Sequence, residues 1–206
     1  MLPSCFKPML AQKAQEPFDC EEHLFEIKWD GIRCLSLIQS GGVRLQSRHG
    51  LEVTDQFPEL GGLAQLPSGT VLDGELVVFH EGKPVLCEVQ RRVRLQNRPR
   101  IQLLSRIKPV NYVVFDLLFL KGKSLMAAPL MKRRKALQEL IARCQLPGVL
   151  VSEWVRGRGL QLFAHVVSLG LEGIMAKHLD GPYLPGKRSR YWLKIKPEEK
   201  HGESGR

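Results

Sequence analysis

The chain is 206 residues long, 43% hydrophobic and 25% charged, enough for one large domain or two small ones with a core that needs no staples. Thirty-one Lys and Arg against 21 Asp and Glu give a net charge of +10, and such a surplus favours a polyanionic partner through counterion release from a phosphate backbone. Five widely spaced cysteines with no Cys-x-x-Cys pair argue against a disulfide framework or zinc site and fit a reducing cytosol. The longest apolar stretch, around Tyr112 to Leu120, is broken by Asp116 and far too short for a bilayer. The opening Met-Leu-Pro-Ser-Cys has no signal-peptide architecture, so a cytoplasmic, membrane-free protein is expected.

Residues 1–22 hold three prolines and little periodicity and are expected to be an extended lead-in. From Leu24 to Trp29 the pattern alternates, with Phe25, Ile27 and Trp29 on one face and Leu24, Glu26 and Lys28 on the other, as in a half-buried strand. Ile32 to Ile38 and Val43 to Ser47 read as strands of a hairpin turned by Gly41-Gly42. Val71 to Phe79 is a further strand, ended by the polar turn His80 to Lys83. Arg91 to Lys108 carries seven basic residues and no acidic one; it has helical character, and Pro99 argues against one uninterrupted helix. Tyr112 to Leu120 is a buried strand. Leu130 to Cys144 is an amphipathic helix with Leu130, Leu137, Leu140, Ile141 and Cys144 on one stripe. A second helix runs from Leu160 to Leu169 and is stopped by Gly170. Strands at Gly173 to Lys177 and Tyr191 to Lys196 close the pattern, and the last residues look like a frayed tail. The expected class is α+β, with two mainly antiparallel sheets and flanking helices.

The chemistry-bearing residues follow the same alternation. Glu26 to Arg33 is a charged strand running into a glycine turn, and a lysine there becomes a nucleophile only when neutral, which a free lysine of pKa about 10.4 is not. Neighbouring cations and partial desolvation lower such a value. Lys194 and Lys196 point to one face of their strand, a compact clamp for a phosphate group. Asp73 and Glu75 share a face, and Glu172 opens a strand of its own. Carboxylates close to phosphate-binding lysines suggest Mg²⁺, which needs only one or two of them when phosphates are bound. Each of these features alone fits a solvated strand edge just as well.

There is no P-loop and no kinase glycine-rich loop. In order, the chain holds Lys28-x-Asp30-Gly31-x-Arg33, Ser47-Arg48-His49-Gly50, Asp73-Gly74-Glu75, Phe115-Asp116-Leu117-Leu118, Glu172-Gly173-Ile174-Met175-Ala176-Lys177 and Trp192-Leu193-Lys194-Ile195-Lys196. This succession resembles the covalent nucleotidyltransferases: DNA ligases, RNA ligases and mRNA capping enzymes. The segment from Leu171 to Lys196 is most similar to the ligase domain of bacterial end-joining DNA ligases. The resemblance implies an ATP-grasp-like nucleotidyltransferase fold and an ATP-dependent DNA ligase adenylation domain acting in DNA repair or end joining.

It also implies roles. Lys28 would carry AMP. Glu26 would help read the adenine and Phe115 would stack on it. Arg33 and Arg48 would bind the ribose or the phosphate of the nicked strand. Glu75 would hold the ribose hydroxyl, directly or through metal, and Glu172 would bind Mg²⁺ or Mn²⁺. Lys194 and Lys196 would hold the α-phosphate. Lys177, Arg188 and Arg190 are candidates for DNA contacts, and His49 is a turn residue. The expected organisation is a lead-in at 1–22, the nucleotidyltransferase domain at 23–197 and a polar tail at 198–206. Family ligases continue past the Tyr191 to Lys196 strand into an OB-fold; the chain is expected to be either a domain cut from a longer protein or a minimal chain without that OB-fold, with an OB-fold domain or end-joining factors as candidate partners in trans on nicked duplex DNA. The alternatives are an RNA ligase or RNA-capping nucleotidyltransferase, and a non-catalytic nucleic-acid-binding remnant of the fold.

Overall fold

A computed structural model describes residues 6–198; the tail from 199 onward and Met1 to Cys5 lie outside the described residues. In chain order the strands are β1 (Leu10–Lys13), β2 (Cys20–Ile27), β3 (Ile32–Gln39), β4 (Gly42–Ser47), β5 (Thr70–Val77), β6 (Phe79–His80), β7 (Lys83–Pro84), β8 (Asn111–Leu120), β9 (Lys123–Ser124), β10 (Val149–Val151), β11 (Trp154–Gly157), β12 (Ile174–His178) and β13 (Arg188–Ile195). The α-helices are α1 (Leu86–Val93), α2 (Arg98–Ile107), α3 (Leu130–Ala142) and α4 (Gly159–Ser168).

The strands form two main sheets, ordered β1-β13-β12-β2-β11 and β10-β8-β5-β3-β4, with β9 on β8 and a small β6-β7 hairpin. All ladders are antiparallel except β1 with β13 and β10 with β8. Period-two alternation sends each strand's side chains to opposite layers. Leu35, Leu37 and Val71 of the second sheet meet Trp192 of the first in an inner core with Phe115 and Tyr183. Cys34, Leu72 and Leu76 point outward to a cluster with Leu137 and Leu140 of α3. The outer face of the first sheet packs Phe25, Ile174 and Ile195 against Val166 of α4. The expected two-sheet α+β architecture with flanking helices is present.

β8 is central and buried on both faces, which suits its near-continuous apolar run. Its interrupting Asp116 is fully buried and gripped by Arg133 at 2.7 and 2.8 Å, while the same guanidinium donates to the carbonyls of Ala128 and Gly181.

One local expectation changes. The supposed lead-in is part of the fold from Phe6 onward: β1 pairs with β13, Met9 is fully buried, and β2 starts at Cys20. The reason is a partner far away in sequence, which local periodicity cannot reveal. The basic stretch divides into α1 and α2, with Asn97 capping Arg100 at 2.9 Å and Pro99 in the first turn, where no amide partner is lost. Arg188 to Arg190 begin β13. Two short 3-10 helices, Thr54–Gln56 and Pro58–Gln65, carry no periodic signal in the sequence. Among the described residues no helix is long and apolar enough to cross a membrane.

Candidate active site

The groove between the sheets holds a cavity of about 760 Å³, within the range of small-molecule sites. On the first sheet, Met175 lies between Glu26 of β2 and Lys194 of β13, so these three side chains form one row facing the groove. Lys28 follows the end of β2, and its amide donates to Gly173 at 2.9 Å. Its ammonium donates to Glu172, whose other oxygen holds Lys196 at 2.5 Å. Glu172 therefore spaces the two lysines. Its carboxyl lies below the ordinary range: burial pushes it up, but the hydrogen bonds from Lys196 and Lys28 prevail.

The Lys194 ammonium is pushed below its ordinary range by desolvation, then by repulsion from Lys196, Arg188, Lys28 and Arg48. Five cations thus converge on one end of the groove, an arrangement that suits several negative charges on a phosphate chain.

Glycine is needed twice to build this end. A Cβ on Gly31 would stand 2.3 Å from the Leu76 carbonyl oxygen. Gly173, whose carbonyl receives the Lys28 amide, has a φ of +138° and would place a Cβ 2.2 Å from the Ile195 carbonyl oxygen.

The second sheet supplies Arg33 and Glu75, which face each other across β3 and β5. Arg33 turns to buried Asp73, bonding both of its oxygens at 2.6 Å, and lies 4.8 Å from the Phe115 ring centre. Tyr183 donates to the same Asp73 at 2.6 Å and accepts from the Met9 amide at 3.0 Å. Arg33 lines the groove with its guanidinium held by the protein. Burial pushes the Glu75 carboxyl up to about 8, against the pull of Arg33 and Lys28. Burial, then Glu172, also raises Asp30, another residue of the groove lining.

Phe115 lines the middle of the groove. Lys177 is buried with its ammonium on Glu26, 4.0 Å from the Phe115 ring centre and 4.3 Å from that of Trp192. Its expected DNA contact is therefore corrected: a fully buried ammonium beneath the groove cannot reach a duplex. Arg188 lines the cavity rim and donates to the Ala11 carbonyl, whereas Arg190 is exposed outside the cavity lining. Arg48 and His49 occupy the turn after β4 at the cavity wall.

Sequence reasoning missed Arg134, which is buried and donates to the Phe115 carbonyl at 2.9 Å, the Ser152 carbonyl and Glu26. Its signal was available: it lies four residues after Leu130, on the apolar stripe of α3.

Two carboxylates, Glu75 and Glu172, flank the Lys28 ammonium. Among the described residues Glu75 has no hydrogen bond or ion pair, and no cluster of three or more His, Cys, Asp or Glu could hold a metal. That donor set fits a hard cation bound largely by phosphate and water oxygens.

This groove between two sheets is the architecture of solved ligase domains. The ligase domain of M. tuberculosis LigD is 35% identical, superposes with a TM-score of 0.77, and is matched over 93% of this chain and 60% of that one. A mycobacterial DNA ligase D complexed with ATP and MES gives 34% identity and a TM-score of 0.73 over the same shares. The SPbeta prophage-derived DNA ligase-like protein LigB of Bacillus subtilis is 37% identical over 188 residues, 91% of this chain and 66% of that protein. The chain thus spans less than two thirds of each of these relatives. Residues 8–196 match the family model of the ATP dependent DNA ligase domain, and the chain belongs to that family.

Proposed function

We propose that the chain performs the adenylation chemistry of an ATP-dependent DNA ligase, with Lys28 as nucleophile, and acts on nicked duplex DNA in repair or end joining. The observation that carries the reading is the Lys28–Glu172–Lys196 bridge at the cation-lined end of a nucleotide-sized groove. Family membership supports ATP as the substrate.

In the first step the neutral Lys28 amine attacks the α-phosphorus of ATP. The nitrogen–phosphorus bond forms, the bond to pyrophosphate breaks, and the surplus amine proton passes to solvent. Next, an oxygen of the 5′-phosphate at the nick attacks the same phosphorus and releases the lysine. Finally the 3′-hydroxyl attacks the 5′-phosphorus, loses its proton and expels AMP. Every step is a substitution at phosphorus, so positioning and charge neutralisation dominate.

Lys194 and Lys196 neutralise the α-phosphate as charge builds on it. Phe115 offers a ring to the adenine, and Glu26, held between Lys177 and Arg134, is placed to read its polar edge. Glu75 and Glu172 would hold Mg²⁺ or Mn²⁺, which when bound supplies positive charge to phosphate oxygens. Arg33 organises the groove wall through Asp73, and Arg48 and Arg188 face the incoming strand. A cytoplasmic location fits this chemistry.

The test is transfer of label from α-labelled ATP to the protein. Lys28 should become labelled, with Lys28→Ala and Lys28→Arg inert, since a guanidinium stays protonated. Full labelling of Lys28→Ala would refute the assignment, and labelling by GTP in place of ATP would favour a capping enzyme.

A further inference from the structure

A second cavity, of about 580 Å³, opens between α1 and α2. Arg91 and Arg94 reach its wall from the end of α1, and Arg100 and Lys108 from α2 and its C-terminal cap. Among the described lining residues the only acid is Glu88, which holds Lys108 at 2.9 Å and lies 3.8 Å from Arg91. Arg94 and Arg100 form no ion pair among the described residues. Five cations line the cavity: Arg92 pairs with Glu59 outside it, Glu88 pairs with Arg91 and Lys108, and the Arg91 side chain is 74% exposed.

Gln90 and Arg94 line this cavity and the Lys28 groove alike, so the basic wall continues from the groove along α1. The 10 residues of α2 extend about 15 Å. That length matches about four phosphates of one DNA strand at about 3.4 Å each along the axis. A free phosphate or nucleotide is held by enclosed donors; open arginines in a row suit a repeating backbone.

We propose that the cavity between α1 and α2 is a track for the sugar-phosphate backbone of the duplex flanking the nick, gripped by Arg91, Arg94 and Arg100. The inference rests on the ligase reading of the Lys28 groove and names where its DNA substrate lies.

The test titrates a nicked duplex onto the full chain at several salt concentrations and compares Arg91→Glu/Arg100→Glu with Arg91→Lys/Arg100→Lys. Both positions are solvent-facing, so neither pair removes core packing. The glutamate pair should bind at least about tenfold more weakly near 0.1 M salt, with the slope of log affinity against log salt shallower by about 2. The lysine pair should retain most of the affinity. Cys87, exposed on the same wall, offers a second readout: the duplex should slow its alkylation by a maleimide, and ATP or pyrophosphate alone should not. Unchanged affinity and slope in the glutamate pair would overturn the track. So would protection of Cys87 by nucleotide and not by duplex, which would make the cavity an extension of the nucleotide site. ATP labelling of the unmodified chain without DNA separates the two failures. No labelling sinks the reading of the groove; labelling with duplex binding indifferent to the substitutions sinks the track alone.

Discussion

Arg33 faces Glu75 across the β3–β5 ladder, yet its guanidinium turns to Asp73 and bonds both carboxylate oxygens at 2.6 Å. Asp73 is wholly buried, so removing it strands a charge beneath the groove. Asp73→Ala should lower unfolding free energy by about 3–5 kcal/mol, the usual cost of breaking a buried pair from one side. Tyr183→Phe, which removes one hydrogen bond to the same carboxylate, should cost about 1–3 kcal/mol. Denaturant titrations would measure both, and equal losses would show that the ion pair contributes nothing beyond a neutral contact.

Lys194 and Lys196 should differ from Lys28 in kind. Replacing either by Ala removes positive charge from the phosphate end while leaving the nucleophile, so adenylation should slow by about 10²–10³-fold without disappearing. Single-turnover labelling measures the rates. Complete loss in Lys194→Ala with the fold intact would require a more direct role.

Gly31→Ala probes close packing where the chain turns from β2 into β3. The added methyl meets a backbone oxygen of β5 at 2.3 Å, which cannot rotate aside as a side chain can. A stability loss of about 1–3 kcal/mol is expected from the forced shift, with slowed adenylation because Lys28 and Arg33 flank the turn. A variant with unaltered stability and labelling would show that β3 and β5 can separate freely.

The cysteines should react in a fixed order. Burial, then the nearby Asp73 carboxylate, pushes the Cys34 thiol far above its usual range, whereas Cys87 is exposed. Thiolate is the reactive form, so maleimide at neutral pH should modify Cys87 well before Cys34. Mass spectrometry of the native chain checks this, and early labelling of Cys34 would mean that the β3–β5 region opens.

Much of the site was legible because strand alternation is local. Asp73 and Glu75, or Lys194 and Lys196, declare a common face from their own spacing. Lys177 shows the limit. The same alternation shows which face it occupies but not that Phe115, Trp192 and Glu26 close over it. The Tyr183–Asp73 bond joins residues 110 positions apart, and the β1–β13 pairing joins the two ends of the described chain. Such contacts leave no periodic trace, which is why residues 6–22 read as a lead-in and Arg33 as a free ligand-binding arginine.

The placement of β2 beside β12, and of β12 beside β13, sets an order of assembly during synthesis. Lys28 emerges early, but Glu172, Lys194 and Lys196 emerge among the last of the described residues. At about 5–20 residues per second on the ribosome, roughly 8–33 s separate Lys28, the proposed nucleophile, from the strand that completes the groove around it. Throughout that interval the first sheet has gaps where β12 and β13 belong, and its unpaired edges are open to wrong partners. On the proposed reading, a nascent chain gains its nucleotide site late, and a ribosome stalled before β13 is expected to display a Lys28 that does not take up AMP.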